Sequence, residues 1–284
     1  MLLITGASGA LGSLIAERLA GRPDVRTGTR LPDRNQDQDR HQDRHQDRHQ
    51  DRIRVDFDVP ETLDFTGVDT LLLISAGYGE DDEVIARHDA AISAAERDGV
   101  GHIVYTSLTE AGDHLPYALP HRWTERRLRN SPVAWTVLRN GLYAELMAWL
   151  AAPGPDGRIT APLGEGRVAA VAREDLAEVA VRVALAPASH TNQVYELVGD
   201  RPLSGADLAE AAGARYTPAT LASARATLST PDAAPFQPPM LVGTYSAIAA
   251  GFLATPDTGT LRSLLPHPPR PALTAYAAAL PGRP

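Results

Sequence analysis

Apolar residues in the first half of this chain fall into short unbroken runs, separated by longer stretches with helical spacing. Leu71-Leu72-Leu73-Ile74 has no polar position, as expected of a central strand covered on both faces. Strands are read at Leu2–Ile4, Val25–Thr29, Ile53–Val55, Thr70–Ser75, His102–Thr106 and Ala134–Leu138. Helical stretches run over Ala10–Ala20, Glu83–Asp98 and Ala118–Asn130. Such alternation predicts an α/β chain with a doubly wound parallel sheet. Past Leu150 the texture changes to short strands and Ala-rich helices interrupted by prolines. Residues 151–284 are therefore expected to form a smaller C-terminal α/β cap region beside a main domain over 1–150, with a strand near 193–198 returning to the main sheet.

One segment fits neither period. Residues 38–52 repeat Gln-Asp-Arg-His, with His41, His45 and His49 four apart and no apolar face to bury. It reads as a solvated low-complexity insert where the helix between the second and third strands is expected. On a helix the three histidines would share one face and offer adventitious metal binding. No dedicated metal site is expected elsewhere.

The first strand runs directly into Gly6-Ala7-Ser8-Gly9-Ala10-Leu11-Gly12. A strand, this glycine spacing and then a helix form a Rossmann-type device for holding a dinucleotide. Gly6 permits a tight turn and Gly9 a close backbone approach to a pyrophosphate. Gly12 lets the helix pack hard against the sheet. The helix start presents unpaired N–H groups and a positive dipole end to phosphate. The competing reading is a strand–turn–helix whose glycines serve packing alone.

Composition narrows the chemistry. The formal charge of −8, with no basic patch, argues against nucleic-acid binding. No run of about 18 apolar residues suggests a membrane span, and the start does not read as a signal peptide, so a cytoplasmic location is expected. With no cysteine, thiol nucleophiles, thiolate metal sites and disulfides are excluded. All 27 basic residues are arginine, because lysine is absent. Schiff-base chemistry and a Tyr-x-x-x-Lys pair are therefore excluded. Nothing in the pattern decides between a monomer and a homodimer.

Candidate site residues cluster after the strands. Arg30 follows the second strand, where a guanidinium suits the 2′-phosphate of NADP(H) and an acidic residue would suit NAD(H). Arg34 is a second candidate, and Asp33 weighs slightly the other way. Asp56 and Phe57, after the third strand, are placed to meet adenine, and Asp58 to cap the helix beginning near Pro60. Ser75, Ala76 and Gly77 end the fourth strand with small residues over which a cofactor can lie. Ser107 ends the fifth strand, to bond a carbonyl acceptor or cap the next turn. Tyr117 and His121 mimic Tyr-x-x-x-Lys spacing, although Pro120 argues against a regular helical turn between them. His121 at a helix start is biased toward neutrality and is the better candidate acid, with a surface or capping histidine as the alternative. Asn140 and Gly141 are read as loop residues after the sixth strand, and Tyr143 as a ring to stack on a planar acceptor or pack in the core.

Taken in order, Thr5–Gly12, Leu71–Ser75, Tyr105–Leu108, His121-x-x-Thr124-Glu125, Leu138–Glu145, Arg173–Ala177 and Val194–Asp200 resemble the NmrA-like atypical short-chain dehydrogenases, especially the type 2 NADPH:quinone oxidoreductases. The resemblance covers roughly residues 1–210. It implies an NADPH-binding Rossmann domain, a small C-terminal domain and a cleft between them for a quinone. It carries over Gly6 to Leu11, Arg30, Ser75 and Asn140 to Glu145 as cofactor or cleft residues. The repeat and Ala76-Gly77 depart from the family pattern. The expected function is hydride transfer from NADPH, with NAD(H) the poorer fit, to a quinone or another planar electron-poor acceptor. The alternative is a non-catalytic NADP(H)-sensing regulator acting through a protein partner.

Overall fold

The computed structural model describes residues 1–32, 51–76 and 78–281. Asp33, Arg34, Gly77 and residues 38–50 of the repeat lie outside the described residues. Strands β1 (Leu2–Ile4), β2 (Val25–Thr29), β3 (Asp51–Arg54), β4 (Thr70–Ile74), β5 (His102–Leu108) and β6 (Ala134–Asn140) form the main sheet with β9 (Gln193–Leu197). Between and after them come β7 (Arg158–Ala161), β8 (Arg167–Val168), β10 (Leu203–Ser204) and β11 (Arg215–Pro218). The sheet order is β3-β2-β1-β4-β5-β6-β9, with parallel pairing of β3 to β2, β2 to β1, β1 to β4 and β4 to β5. The expected Rossmann-type α/β architecture is present, with β9 as the last strand of the sheet.

Helices α1 (Ala10–Arg18), α2 (Asp81–Arg97) and α3 (Ala118–Arg129) follow the expected order. They are succeeded by α4 (Ala144–Leu150), α5 (Arg173–Leu185), α6 (Gly205–Ala212), α7 (Leu221–Leu228), α8 (Gln237–Ala249), α9 (Thr260–Leu264) and α10 (Ala272–Ala278). Pro120 does not interrupt α3. It lies in the first turn, where a missing N–H leaves no intrahelical bond unmade. Three strands extend past their expected bounds, β5 by continuing through Leu108. β6 continues through Asn140, so that residue ends a strand rather than starting a loop. β3 begins at Asp51 and takes in the last Asp-Arg of the repeat; Arg52 and Arg54 are exposed and Val55 just beyond is buried, as suits the sheet's edge.

The chain forms two compact units interleaved in sequence rather than divided at one position near 150. The first comprises Met1–Ser107, Arg122–Leu138 and Ala177–Val194; the second comprises Leu108–His121, Arg139–Leu176 and Tyr195–Pro284. In the first unit Leu3, Leu71, Leu73, Ile103, Tyr105 and Val137 from the sheet pack with Ala91, Ile92 and Ala95 of α2. Leu71, Leu72 and Leu73 are wholly buried, in keeping with their unbroken apolar run. In the second unit Met147 and Leu150 of α4 share a core with Ile159, Leu208, Tyr245, Ile248 and Tyr276. The buried phenols there are paired: Tyr245 donates to the Leu150 carbonyl at 2.6 Å and Tyr276 to that of Ala151 at 2.8 Å. Asp175 on α5, wholly buried, accepts from the Arg270 backbone N–H at 2.7 Å and also pairs with the Arg270 guanidinium.

Candidate functional site

In a sheet of this order the direction of winding reverses between β1 and β4, and ligands bind beyond the carboxyl ends of strands at such a switch point. Thr5, wholly buried, joins those two strands at their ends. Its N–H donates to Leu72 O at 3.0 Å, while its Oγ1 accepts from Ile74 N–H at 3.0 Å. The chain then turns through Gly6 with φ +62, a left-handed conformation that favours glycine. Within the loop, Ala7 N–H is taken by Gly28 O and Gly9 N–H by Gly6 O. Ser8, Gly9 and Ala10 are exposed, whereas Ala7, Leu11 and Gly12 are buried.

The reason for glycine at 12 differs from packing against the sheet. A Cβ there would overlap the Gly6 carbonyl and lie 2.9 Å from Ala7 Cα, so α1 is pressed onto its own loop. No side chain caps α1, and its first turn carries no acidic residue. The first amides of a helix have no intrahelical acceptor. With a partial positive charge and no carboxylate to neutralise it, this turn fits a pyrophosphate.

Around this loop the other expected residues take different places. Arg30 is exposed just beyond β2, and its charge reaches Asp58. Asp58 does not cap the short helix at Pro60–Thr62, whose N-cap is Val59. Its carboxylate instead accepts from Arg87 at 2.6 and 3.0 Å, and that guanidinium holds it below the usual carboxylate range. Arg87 also donates to Tyr78 O at 3.2 Å, tying the loop after β3 to the loop after β4. Asp56 is half-buried and Phe57 packs against the core of the first unit.

Beyond β4, the loop bearing Ser75 and Ala76 is held by Thr106, from the Tyr105–Leu108 segment, and by His88, which no motif singled out. Ser75 N–H donates to Thr106 Oγ1 and Ala76 N–H to His88 Nε2, each at 3.0 Å. Because Nε2 accepts, the neutral ring carries its proton on Nδ1, which lies 2.8 Å from Thr124 Oγ1. The His88 ring is wholly buried and meets Tyr105 edge-on, with centroids 5.4 Å apart. A trace of this role is visible in sequence. His88 sits four residues after Val84 and before Ile92, on the buried stripe of α2.

Ser107 is buried at the end of β5 and does not cap the following turn, whose N-cap is Thr109. Its hydroxyl donates to Glu125 Oε1 at 2.7 Å, so its proton is directed at a carboxylate. Glu125, wholly buried, is paired with Arg122 at 2.8 Å and Arg129 at 3.1 Å. His121 is half-buried on the first turn of α3.

The second unit gathers a separate group. Asn140 ends β6 and is 5% exposed, with a buried Oδ1 that makes no hydrogen bond among the described residues. Gly141 donates to Leu197 O at 2.8 Å, and a Cβ there would lie 3.1 Å from Val198 Cγ1, which explains glycine at this close approach. Tyr143 is half-buried, and desolvation pushes its phenol up. The Arg173 guanidinium lies over the Tyr143 ring, 4.9 Å from its centroid. Tyr117 OH lies 3.3 Å from Thr244 Oγ1, and burial pushes this phenol up to about 12.

Residues 6–187 match the model of a family described as NAD(P)H-binding. Quinone oxidoreductase 2 of Escherichia coli (strain K12) is 35% identical over 214 residues, which span 71% of this chain and 72% of that protein. An NAD(P)H azoreductase of Xenophilus azovorans is 32% identical over 60% of this chain and 62% of its own length. The structure of Citrobacter sp. triphenylmethane reductase complexed with NADP(H) superposes with a TM-score of 0.85, at 27% identity, over 98% of this chain and 99% of that one. With the glycine loop at the switch point and the family match extending from Gly6 to just past the end of α5, the chain belongs to the NAD(P)H-binding, NmrA-like family of oxidoreductases.

Proposed function

We propose that this chain uses NADPH to reduce a quinone or a similar planar, electron-poor acceptor. The observation that carries the reading is the uncapped, acid-free first turn of α1 behind Gly6–Gly12, at the point where the sheet reverses. Gly6, Ser8, Gly9 and Ala10 present backbone to the pyrophosphate. Ala7, Leu11 and Gly12 hold that backbone in place from the buried side. Ser75 and Ala76 form the small-residue ledge beyond β4, with Asp56 and Phe57 at the adenine end. Arg30 is the residue for the 2′-phosphate and favours NADP(H) over NAD(H).

When bound, NADPH supplies a hydride. The residues of this chain are suited to an acceptor that needs little acid assistance. Lysine is absent, the Ser107 hydroxyl spends its hydrogen bond on Glu125, and the Tyr117 phenol is held protonated. Reducing an ordinary ketone develops a strongly basic alkoxide, which requires a well-matched acid. A quinone yields a delocalised and weakly basic phenolate that water, or His121, can protonate. Tyr143 offers a face to a planar ring, and orientation supplies most of the acceleration.

The test is to mix the protein with NADPH and a benzoquinone and follow cofactor absorbance. Turnover that is slower with NADH supports the reading. Tight cofactor binding, discrimination between oxidised and reduced forms and no turnover with any quinone would instead establish a cofactor-sensing regulator.

A further inference from the structure

The second unit contains a positive charge that its own structure leaves unanswered. Arg173 opens α5 and is half-buried. Among the described residues it makes no ion pair, and its buried Nε makes no hydrogen bond. The nearby carboxylate is engaged elsewhere. Both oxygens of Glu145 accept from the Arg173 backbone N–H, at 3.1 and 3.2 Å, and neither forms an ion pair with the guanidinium. What holds the guanidinium is the face of Tyr143, 4.9 Å from the ring centroid. Beside the same ring lies Asn140, whose side chain bonds the Tyr143 phenol while its buried Oδ1 finds no partner among the described residues.

Two buried polar atoms without partners around one half-exposed aromatic ring form an unusual combination. Native proteins leave few such atoms, because each forfeits its hydration without a replacement bond. Arginine is also the cation best suited to the task. Its planar fork bonds a carboxylate, sulfonate or phosphate in two places while its face remains stacked on an arene. A neutral quinone would leave this charge uncompensated, whereas an acceptor bearing an acidic group would complete it.

We infer that Arg173, seated on Tyr143, is the specificity-determining residue for an acceptor that is both aromatic and anionic: a planar electron-poor ring carrying a carboxylate, sulfonate or phosphate. The inference deepens the proposed quinone reduction and rests on it for turnover, although binding of the anion can be measured without turnover. Arg173 recognises the charged substituent, and Tyr143 meets the ring.

The experiment compares naphthoquinone with its monosulfonate in the full-length protein and in Arg173→Gln and Arg173→Lys. Wild type is expected to show a higher kcat/KM for the sulfonate. Arg173→Gln should lower kcat/KM for the sulfonate by about 10- to 100-fold, the range for losing a charge-assisted contact. It should change kcat/KM for the neutral quinone and KM for NADPH by less than about threefold. Arg173→Lys, which keeps the charge but not the fork, should fall between the two. An equal loss for both acceptors, a wild type without preference, or an effect confined to KM for NADPH would overturn the assignment. Calorimetric titration with a naphthalene sulfonate, which accepts no hydride, separates the two proposals. Binding by wild type that is lost in Arg173→Gln sustains the anion site even if no quinone is reduced, and undiminished binding in Arg173→Gln refutes it.

Discussion

Replacing His88 by leucine probes whether the ledge beyond β4 is set from beneath. The substitution keeps an apolar body on the buried stripe of α2 but removes both ring nitrogens. Ala76 N–H loses its acceptor at 3.0 Å, and Thr124 Oγ1 loses one of its partners, at 2.8 Å. A buried donor left unsatisfied costs about 1–3 kcal/mol. The edge-on contact with Tyr105 contributes about 0.5–1.5 kcal/mol more. Together these losses come to roughly 2–4 kcal/mol, with Ala76 only partly buried and so at the lower end of its range. At about 2–4 °C per kcal/mol for a chain of this size, Tm should fall by roughly 5–15 °C. The more telling effect is on cofactor. With Ala76 free to shift, the dissociation constant for NADPH, measured by fluorescence titration, should rise about tenfold, while kcat at saturating NADPH changes far less. His88→Gln can accept from Ala76 and donate to Thr124 through one amide, so it should recover most of the binding. A folded His88→Leu protein with unchanged NADPH affinity would refute the argument, as would a glutamine variant no better than the leucine one.

Arg30→Ala should weaken NADPH binding by about tenfold, the low end for a charge-assisted contact because Arg30 is exposed, while leaving NADH unchanged. An unaltered NADPH-to-NADH ratio, measured in low salt, would remove Arg30 from the 2′-phosphate. His102 gives a pH dependence. It is buried, its Nε2 lies 2.8 Å from Thr136 Oγ1, and burial together with the neighbouring His190 lowers its pKa below the usual 6.5. The unfolded chain therefore binds a proton first as pH falls. The stability from keeping this ring neutral is complete above about pH 6.5 and diminishes below it, at up to about 1.4 kcal/mol per pH unit for one proton. Urea unfolding of His102→Gln between pH 7.5 and 5 should show a shallower decline than wild type, and equal slopes would exclude His102 as its source.

The legible parts of this molecule were those written in local pattern. The apolar run Leu71–Ile74 and the glycine spacing at 6, 9 and 12 predict β4 and the turn from β1 into α1, and both occur where expected. Asn140, beside Gly141, reads as a natural loop residue, yet β6 runs through it. Its place is fixed by the neighbouring β9, a contact between distant parts of the chain. Asp58 looks like a helix cap from its spacing to Pro60, yet Arg87, 29 residues away, claims the carboxylate. Ser107 stands where an acceptor would need a donor, but Glu125 on a helix 18 residues later accepts its hydrogen bond. His88 carries no motif, and Arg173 figures in the sequence only as the first residue of a family-like helix start. Each acquires its meaning from a partner that only folding brings near: the Ala76 amide for one, the Tyr143 ring for the other.

The bond between Asp175 and Arg270 also has a consequence in time. The two residues are 95 positions apart, and the carboxylate is wholly buried with Arg270 supplying both its backbone and its side-chain donor. At a synthesis rate of about 5–20 residues per second, Asp175 leaves the ribosome roughly 5–20 s before its counter-ion. Throughout that interval the start of α5 has a charge it cannot take into the interior, so the second unit stays open while the first can already close. A nascent chain arrested between these two residues should therefore present protease-sensitive sites in the second unit, and these should disappear once residue 270 is free to dock.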